Sequence, residues 1–125
     1  MEIQVMTSSK ILLVDDDVQF LEATEYMLKY ENYAVITAKN GEEAIQKYRE
    51  SRPDIVLMDL KMPVMNGYDA FFKIKEHDSD AKVVFTSAYA INDKEFKHAK
   101  SSGLFGLLTK PFDLNELNDI VTSKN

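Results

Sequence analysis

Five short apolar segments alternate with amphipathic segments along the chain, and this alternation is the strongest constraint on its fold. The apolar segments are Lys10–Val14, Tyr33–Ala38, Ile55–Met58, Val83–Phe85 and Leu104–Leu108. The residues between them repeat apolar positions at helical spacing, which predicts helices with one buried face. Strands that alternate with helices predict a parallel sheet covered on both faces. We therefore predict an α/β fold, a single doubly wound (βα)5 sheet, because a closed barrel of this kind requires eight units.

Length and composition limit the classes of protein to which the chain can belong. Its 125 residues suffice for one domain, for which we predict residues 10–123, after a short lead-in over residues 1–9. The net charge of −6 argues against a nucleic-acid surface, and the absence of cysteine excludes disulfides and thiol chemistry. We find no signal peptide and no apolar run long enough for a membrane helix, so we expect a cytoplasmic protein.

Four of the five predicted strands end on residues that can carry chemistry. They are Asp15 with Asp16, then Asp59, Ser87 and Lys110. Because the carboxyl ends of parallel strands meet at one edge of the sheet, these side chains should converge there. Three carboxylates in one place repel each other unless a cation neutralises them. Oxygen ligands without histidine or cysteine favour Mg²⁺, with Mn²⁺ or Ca²⁺ as substitutes.

The predicted cluster has the electrostatics of a phosphoryl-transfer site. A metal ion and Lys110 together would leave a cationic position above Asp59. Such a position attracts a phosphoryl group to a carboxylate, and carboxylates are known covalent nucleophiles. His77 and His98 have no partner at metal-binding spacing, and we assign them no role.

From Lys10 to about Val121 the chain resembles the response-regulator receiver domain of two-component signalling, of the stand-alone chemotaxis-regulator type. The matching stretches are Ile11–Asp17, Asp54–Pro63, Asn66-Gly67, Ser87–Tyr89 and Lys110–Phe112. Each stretch is weak alone, but five in this order are specific. The resemblance implies the strand order 2-1-3-4-5. It also implies a signalling regulator that is not an enzyme, beyond self-catalysed phosphorylation and dephosphorylation of its own aspartate.

The resemblance also assigns roles within the site. Asp59 would be the phosphoacceptor, supplied by a histidine kinase or a histidine phosphotransfer protein. Mg²⁺ would be bound by Asp59, by Asp16 directly, by Asp15 largely through water, and by the main-chain carbonyl of Lys61.

The remaining roles concern the phosphoryl oxygens and the response to phosphorylation. Ser87 would hydrogen-bond one phosphoryl oxygen, Lys110 would pair with another, and the Lys110-Pro111 peptide would be cis. Strand alternation and the family match favour Ser87 over Thr86 as the residue that faces the site. Movement of Ser87 would bias the following loop and a weakly packed fourth helix, predicted from Asn92 to Ser102.

Two positions depart from the commonest pattern of the family. Leu107 occupies the position that usually holds an aromatic residue on the fifth strand, so Phe105 or Tyr89 is a candidate to take its place. Lys61, two residues after Asp59, brings a cation to the mouth of the site. We predict that Lys61 and Tyr89 tune dephosphorylation by shielding the site from water or admitting water to it.

The sequence leaves two alternatives to a phosphorylated receiver domain. A pseudo-receiver would bind partners without phosphorylation, although the intact site residues speak against it. A phosphohydrolase of the haloacid-dehalogenase type would need a second aspartate where Lys61 stands. For the receiver, we expect an unidentified downstream protein target on the α4-β5-α5 face, no direct contact with nucleic acid or membrane, and a monomer or a weak phosphorylation-linked dimer.

Overall fold

The computed structural model describes residues 9–89, 91 and 93–123, and in them five strands alternate with five helices. The strands are β1 (Lys10–Val14), β2 (Ala34–Ala38), β3 (Ile55–Asp59), β4 (Val83–Ser87) and β5 (Gly106–Thr109). The helices are α1 (Val18–Tyr30), α2 (Gly41–Ser51), α3 (Gly67–His77), α4 (Lys94–Ser101) and α5 (Leu114–Thr122). None of the helices in these residues is both long and apolar enough to cross a membrane.

All five strands are parallel and lie in the order β2-β1-β3-β4-β5, which confirms the predicted fold class and strand order. Val14 lies beside Met58 on the neighbouring strand, and Asp59 lies beside Thr86 on the next. The last residues of β1, β3 and β4 therefore lie at one edge of the sheet. This edge is where the sequence placed the candidate site.

Two apolar cores cover the two faces of the sheet. On one face, α1 and α5 pack against the sheet through Leu21, Leu28 and Leu117. On the other face, α2, α3 and α4 contribute buried residues such as Phe71 and Ala99. Every residue of β3 is buried. Its one ionisable residue, Asp59, is the last residue of the strand and therefore lies at the carboxyl end of the sheet, beside the cleft.

Each of the five helices begins with an Asp or Asn side chain that accepts a hydrogen bond from the backbone three residues later. These N-cap residues are Asp17, Asn40, Asn66, Asp93 and Asp113. Such caps satisfy backbone N–H groups that the helix leaves free. In α5 the cap is reciprocal, because the Glu116 carboxylate accepts from the Asp113 N–H.

The fourth helix and fifth strand differ from their predicted bounds. The helix begins at Lys94 after the Asp93 cap, and the Asn92 at which we predicted its start lies outside the described residues. Its end is a Schellman motif, in which Leu104 donates to the Ala99 carbonyl and Gly103 has a φ of 98°. Leu104 is thus used to close the helix, and β5 begins only at Gly106. The predicted lead-in, apart from Ser9, also lies outside the described residues.

Candidate functional site

The predicted site residues meet in one cleft at the carboxyl edge of the sheet. Its volume is about 210 Å³. The cleft is lined by Asp15, Asp16, Asp17, Asp59, Lys61, Ser87, Ala88, Tyr89 and Lys110. Residues from four separate strand ends therefore face one space, as the rule for parallel sheets predicts.

Lys110 stands between the two buried carboxylates. Its Nζ lies 2.6 Å from Oδ2 of Asp15 and 3.3 Å from Oδ1 of Asp59. Burial alone would lower the pKa of Lys110, but its hydrogen bonds and ion pairs with both aspartates outweigh that effect and raise it. The ammonium therefore stays charged and partly neutralises the cluster.

Asp59 is the carboxylate whose protonation the site perturbs most clearly. Burial, followed by the charge of Asp15, raises the pKa of Asp59 to about 6, although Lys110 acts in the opposite direction. The single ammonium of Lys110 does not offset the cost of burying the Asp59 charge next to a second carboxylate. The cluster thus has a deficit of positive charge, and a cation would relieve it.

The three aspartates fit a hard divalent cation. One carboxylate oxygen from each of Asp15, Asp16 and Asp59 lies within 4.8 Å of the others. The donor set is entirely oxygen, which suits Mg²⁺. Both oxygens of Asp15 already accept hydrogen bonds, from Lys110 and from the N–H of Asp17, whereas Asp16 is exposed.

Ser87 borders the cleft, but its hydroxyl is engaged in the loop that follows β4. Its Oγ donates to the Tyr89 carbonyl over 2.9 Å and accepts from the Tyr89 N–H over 3.1 Å. Thr86, the rival candidate, is buried beside Asp59 in the sheet and is not among the residues that line the cleft. If the Ser87 hydroxyl donated to a group in the site, it would give up its donation to the Tyr89 carbonyl.

Lys61 and Tyr89 lie together at the mouth of the cleft. The Lys61 Nζ is 4.8 Å from the centroid of the Tyr89 ring, and the Tyr89 residue is 62% exposed. A cation over an aromatic face at this distance is attracted to it. The two side chains therefore lie in contact on one side of the site.

The two fifth-strand candidates lie further from the cleft. Leu107 pairs with Phe85 in the sheet and packs on the core beneath α2, α3 and α4. Phe105 precedes β5 and packs on the opposite core, with Lys82 over its ring. Neither residue lines the cleft, and the structure places them on different faces of the sheet.

Two aromatic contacts near the site were not foreseen from the sequence. The ring of Phe20 lies under the Lys110 ammonium, and the Tyr68 hydroxyl donates to Asp93, the N-cap of α4. Both aromatic residues lie on amphipathic helices, where their spacing indicates only core packing. The Lys110-Pro111 peptide is cis, as the resemblance implied.

Comparison with known proteins settles the family. Residues 11–122 match the family described as the response regulator receiver domain. The chain belongs to this family. The chemotaxis protein CheY of Halobacterium salinarum is 32% identical to this receiver domain over 120 residues, which cover 93% of this chain and 99% of that protein. Sporulation initiation phosphotransferase F of Bacillus subtilis is 33% identical over 116 residues, 93% of each chain.

Solved structures and longer relatives extend the comparison. This receiver domain resembles a chain of the CheX-CheY-BeF3-Mg²⁺ complex of Borrelia burgdorferi with a TM-score of 0.80 and 31% identity, over 90% of this chain and 86% of that one. It spans only 24% and 48% of two longer regulators that it also matches. Receiver domains are signalling regulators, and the acidic cluster together with magnesium-containing receiver structures supports Mg²⁺ binding.

Proposed function

We propose that this receiver domain is a phosphoacceptor in which Asp59 takes a phosphoryl group from the phosphohistidine of a histidine kinase or a histidine phosphotransfer protein. The observation that carries the proposal is the convergence of Asp15, Asp16, Asp59, Ser87 and Lys110 on one cleft. An isolated aspartate at a strand end is an ordinary turn residue. An aspartate that shares a cleft with two more carboxylates and an ammonium has the partners that phosphoryl transfer requires.

Asp15, Asp16, Asp59 and the main-chain carbonyl of Lys61 would hold Mg²⁺, for which Mn²⁺ or Ca²⁺ could substitute. When bound, the ion neutralises negative charge on the carboxylates and on the incoming phosphoryl oxygens. The exposed side chain of Asp16 is available as a direct ligand. Asp15, with both oxygens engaged, would act mainly through water.

In the transfer step a carboxylate oxygen of Asp59 forms a bond to phosphorus, and the phosphorus–nitrogen bond of the phosphohistidine breaks. The electron pair of the broken bond stays on the imidazole nitrogen of the donor. A pKa of about 6 leaves most Asp59 side chains ionised, and hence nucleophilic, at neutral pH. The Lys110 ammonium lies 3.3 Å from Asp59 and would pair with a phosphoryl oxygen of the product.

The response to phosphorylation would start at Ser87. The acyl phosphate adds nearly two negative charges and several acceptors beside its hydroxyl. If the hydroxyl donates to a phosphoryl oxygen, it gives up its donation to the Tyr89 carbonyl, and the hold of Ser87 on the loop that follows β4 is weakened. The α4-β5-α5 face would then contact a downstream protein, with Leu107 in place of the usual aromatic residue and with Phe105 or Tyr89 as candidate substitutes. A cytoplasmic location, and a monomer or a weak phosphorylation-linked dimer, belong to the same proposal.

Lys61 and Tyr89 would set the lifetime of the acyl phosphate. Their contact at 4.8 Å covers one approach for the water that hydrolyses it. Lys61→Ala and Tyr89→Ala should each change the decay rate of phosphorylated protein, measured after removal of the phosphodonor. Unchanged decay in both variants would remove this part of the proposal.

The experiment that tests the central proposal is intact mass spectrometry after incubation with acetyl phosphate, with and without Mg²⁺. The wild-type protein should gain one phosphoryl group only with Mg²⁺, and Asp59→Asn should gain none. Asp80→Asn is the matched control, because this exposed carboxylate precedes β4 at the opposite end of the sheet. A folded wild-type protein that gains no phosphoryl group would instead support the phosphorylation-independent pseudo-receiver.

A further inference from the structure

The Lys110 ammonium rests on the face of an aromatic ring that belongs to a different element. Its Nζ lies 4.3 Å from the centroid of the Phe20 ring, in the first turn of α1. The Phe112 ring meets the Phe20 ring edge to face, with centroids 6.1 Å apart and an angle of 81°. The two phenylalanines therefore form a small aromatic wall beside the site.

The Phe20 ring is a further contact of the ammonium, besides the two carboxylates. A lysine ammonium has three N–H donors, and in the described part of the chain two of its contacts are the carboxylates of Asp15 and Asp59. The Phe20 ring provides a third contact, of the cation–π kind. Only 20% of the Lys110 side chain is exposed.

We propose that Phe20 is a positioning residue that holds the Lys110 ammonium between Asp15 and Asp59. The inference rests on the proposed function, because it concerns the cation that would pair with the phosphoryl oxygen. Lysine has a flexible four-carbon stem and no planar fork to fix its head. The carboxylates restrain the head on two sides, with the shorter contact to Asp15. The Phe20 ring restrains a further side and so favours the position from which Lys110 also reaches Asp59.

A double-mutant cycle tests this inference. The initial rate of phosphoryl uptake from acetyl phosphate, at saturating Mg²⁺, is measured for wild type, Phe20→Leu, Lys110→Met and the double variant. Phe20→Leu should slow uptake about five-fold, which at about 1.4 kcal/mol per factor of ten is a typical cation–π contribution of about 1 kcal/mol. The same change in the Lys110→Met background should have no further effect, because its partner is gone. An equal loss in both backgrounds would overturn the inference.

Matched variants separate the aromatic face from general packing. Phe20→Tyr keeps the ring and should restore uptake to nearly the wild-type rate. Tyr30→Leu makes a similar aromatic-to-aliphatic change at the exposed far end of α1 and should leave the rate unchanged. If Phe20→Tyr is as slow as Phe20→Leu, the face of the ring is not what matters, and the inference fails.

A second readout does not depend on phosphorylation. Protons above an aromatic face resonate upfield, so the Lys110 ε-methylene signals should be shifted upfield in wild type and in Phe20→Tyr but not in Phe20→Leu. Upfield signals that persist in Phe20→Leu would overturn the placement of the ammonium. If wild type shows this shift but gains no phosphoryl group, the proposed function fails while the placement stands.

Discussion

Replacing Asp59 with asparagine should make the metal-free protein more stable at neutral pH, even though it removes the proposed phosphoacceptor. In the folded chain, burial and the neighbouring Asp15 raise the pKa of Asp59 from 3.8 to about 6. Asparagine is close in shape to the protonated aspartate but carries no charge at any pH. The substitution therefore removes an unfavourable buried charge and leaves the packing nearly unchanged.

The size of the effect follows from the pKa difference between the folded and unfolded chains. Well below pH 3.8 Asp59 is protonated in both states, so its ionisation has no influence on stability there. As the pH rises from about 4 to 6, the unfolded chain gives up this proton first, and the folded state loses stability. Above about pH 6 the loss is complete at about 3 kcal/mol, since each pKa unit corresponds to about 1.4 kcal/mol. The Asp59 side chain is only 11% exposed, so solvent screening does little to reduce this value.

Urea unfolding at pH 4 and at pH 7.5, with EDTA present, measures the effect. The free energy of unfolding of Asp59→Asn should exceed that of wild type by up to about 3 kcal/mol at pH 7.5, and this advantage should shrink to about 0.5 kcal/mol near pH 4. Asp80→Asn, at an exposed carboxylate, should show no comparable change between the two pH values. An advantage that is equal at both pH values, or an Asp59→Asn protein that is less stable at pH 7.5, would refute the electrostatic reasoning.

Three further substitutions test single features of the structure. Tyr68→Phe removes the 3.1 Å hydrogen bond to Asp93 and should cost about 1 kcal/mol in urea unfolding, with faster amide exchange in α4. Val64→Asn should gain about 1 kcal/mol in the same assay, because Val64 is fully exposed at a φ of 69°, which a β-branched residue adopts only under strain. Gly67→Ala should cost about 2 kcal/mol and reduce phosphoryl uptake, because the added Cβ would lie 2.5 Å from the main-chain oxygen of Asp59; unchanged stability and uptake would contradict that geometry.

The fold could be predicted because its determinants are local. Apolar runs followed by capped amphipathic segments specify strands and helices one at a time, and the predicted β1 bounds are those observed. The strand order came from the resemblance, since alternation alone does not say which strands are neighbours. The error at β5 has a local cause as well. Leu104 has the composition of a strand residue, but its N–H is used by the Schellman motif that ends α4.

The cleft could be predicted for a geometric reason, whereas its aromatic contacts could not. Parallel strands bring their carboxyl ends to one edge of the sheet, and the strand order implied by the resemblance puts β1, β3, β4 and β5 side by side, so Asp15, Asp59 and Lys110 were expected near one another. The contact between Phe20 and Lys110 depends instead on how α1 is rotated on the sheet, which no sequence periodicity fixes to within a few ångströms. The same holds for Tyr68 and Asp93, which are 25 residues apart. The metal and phosphoryl roles of the predicted residues stay predictions that the proposed experiments test.

The net charge of the cleft predicts that a divalent cation binds before a phosphoryl group arrives. Among the described residues, no buried side-chain polar atom lacks a hydrogen-bond partner, so the unfavourable energy at the site is electrostatic and not a matter of missing bonds. Three carboxylates and one ammonium leave two net negative charges. A divalent cation would cancel them, and under the proposed function an incoming phosphoryl group would then meet a site that no longer repels it. Mg²⁺ should therefore stabilise wild type more than Asp59→Asn, and equal Mg²⁺-induced shifts in their urea midpoints would mean that Asp59 is not part of the cation site.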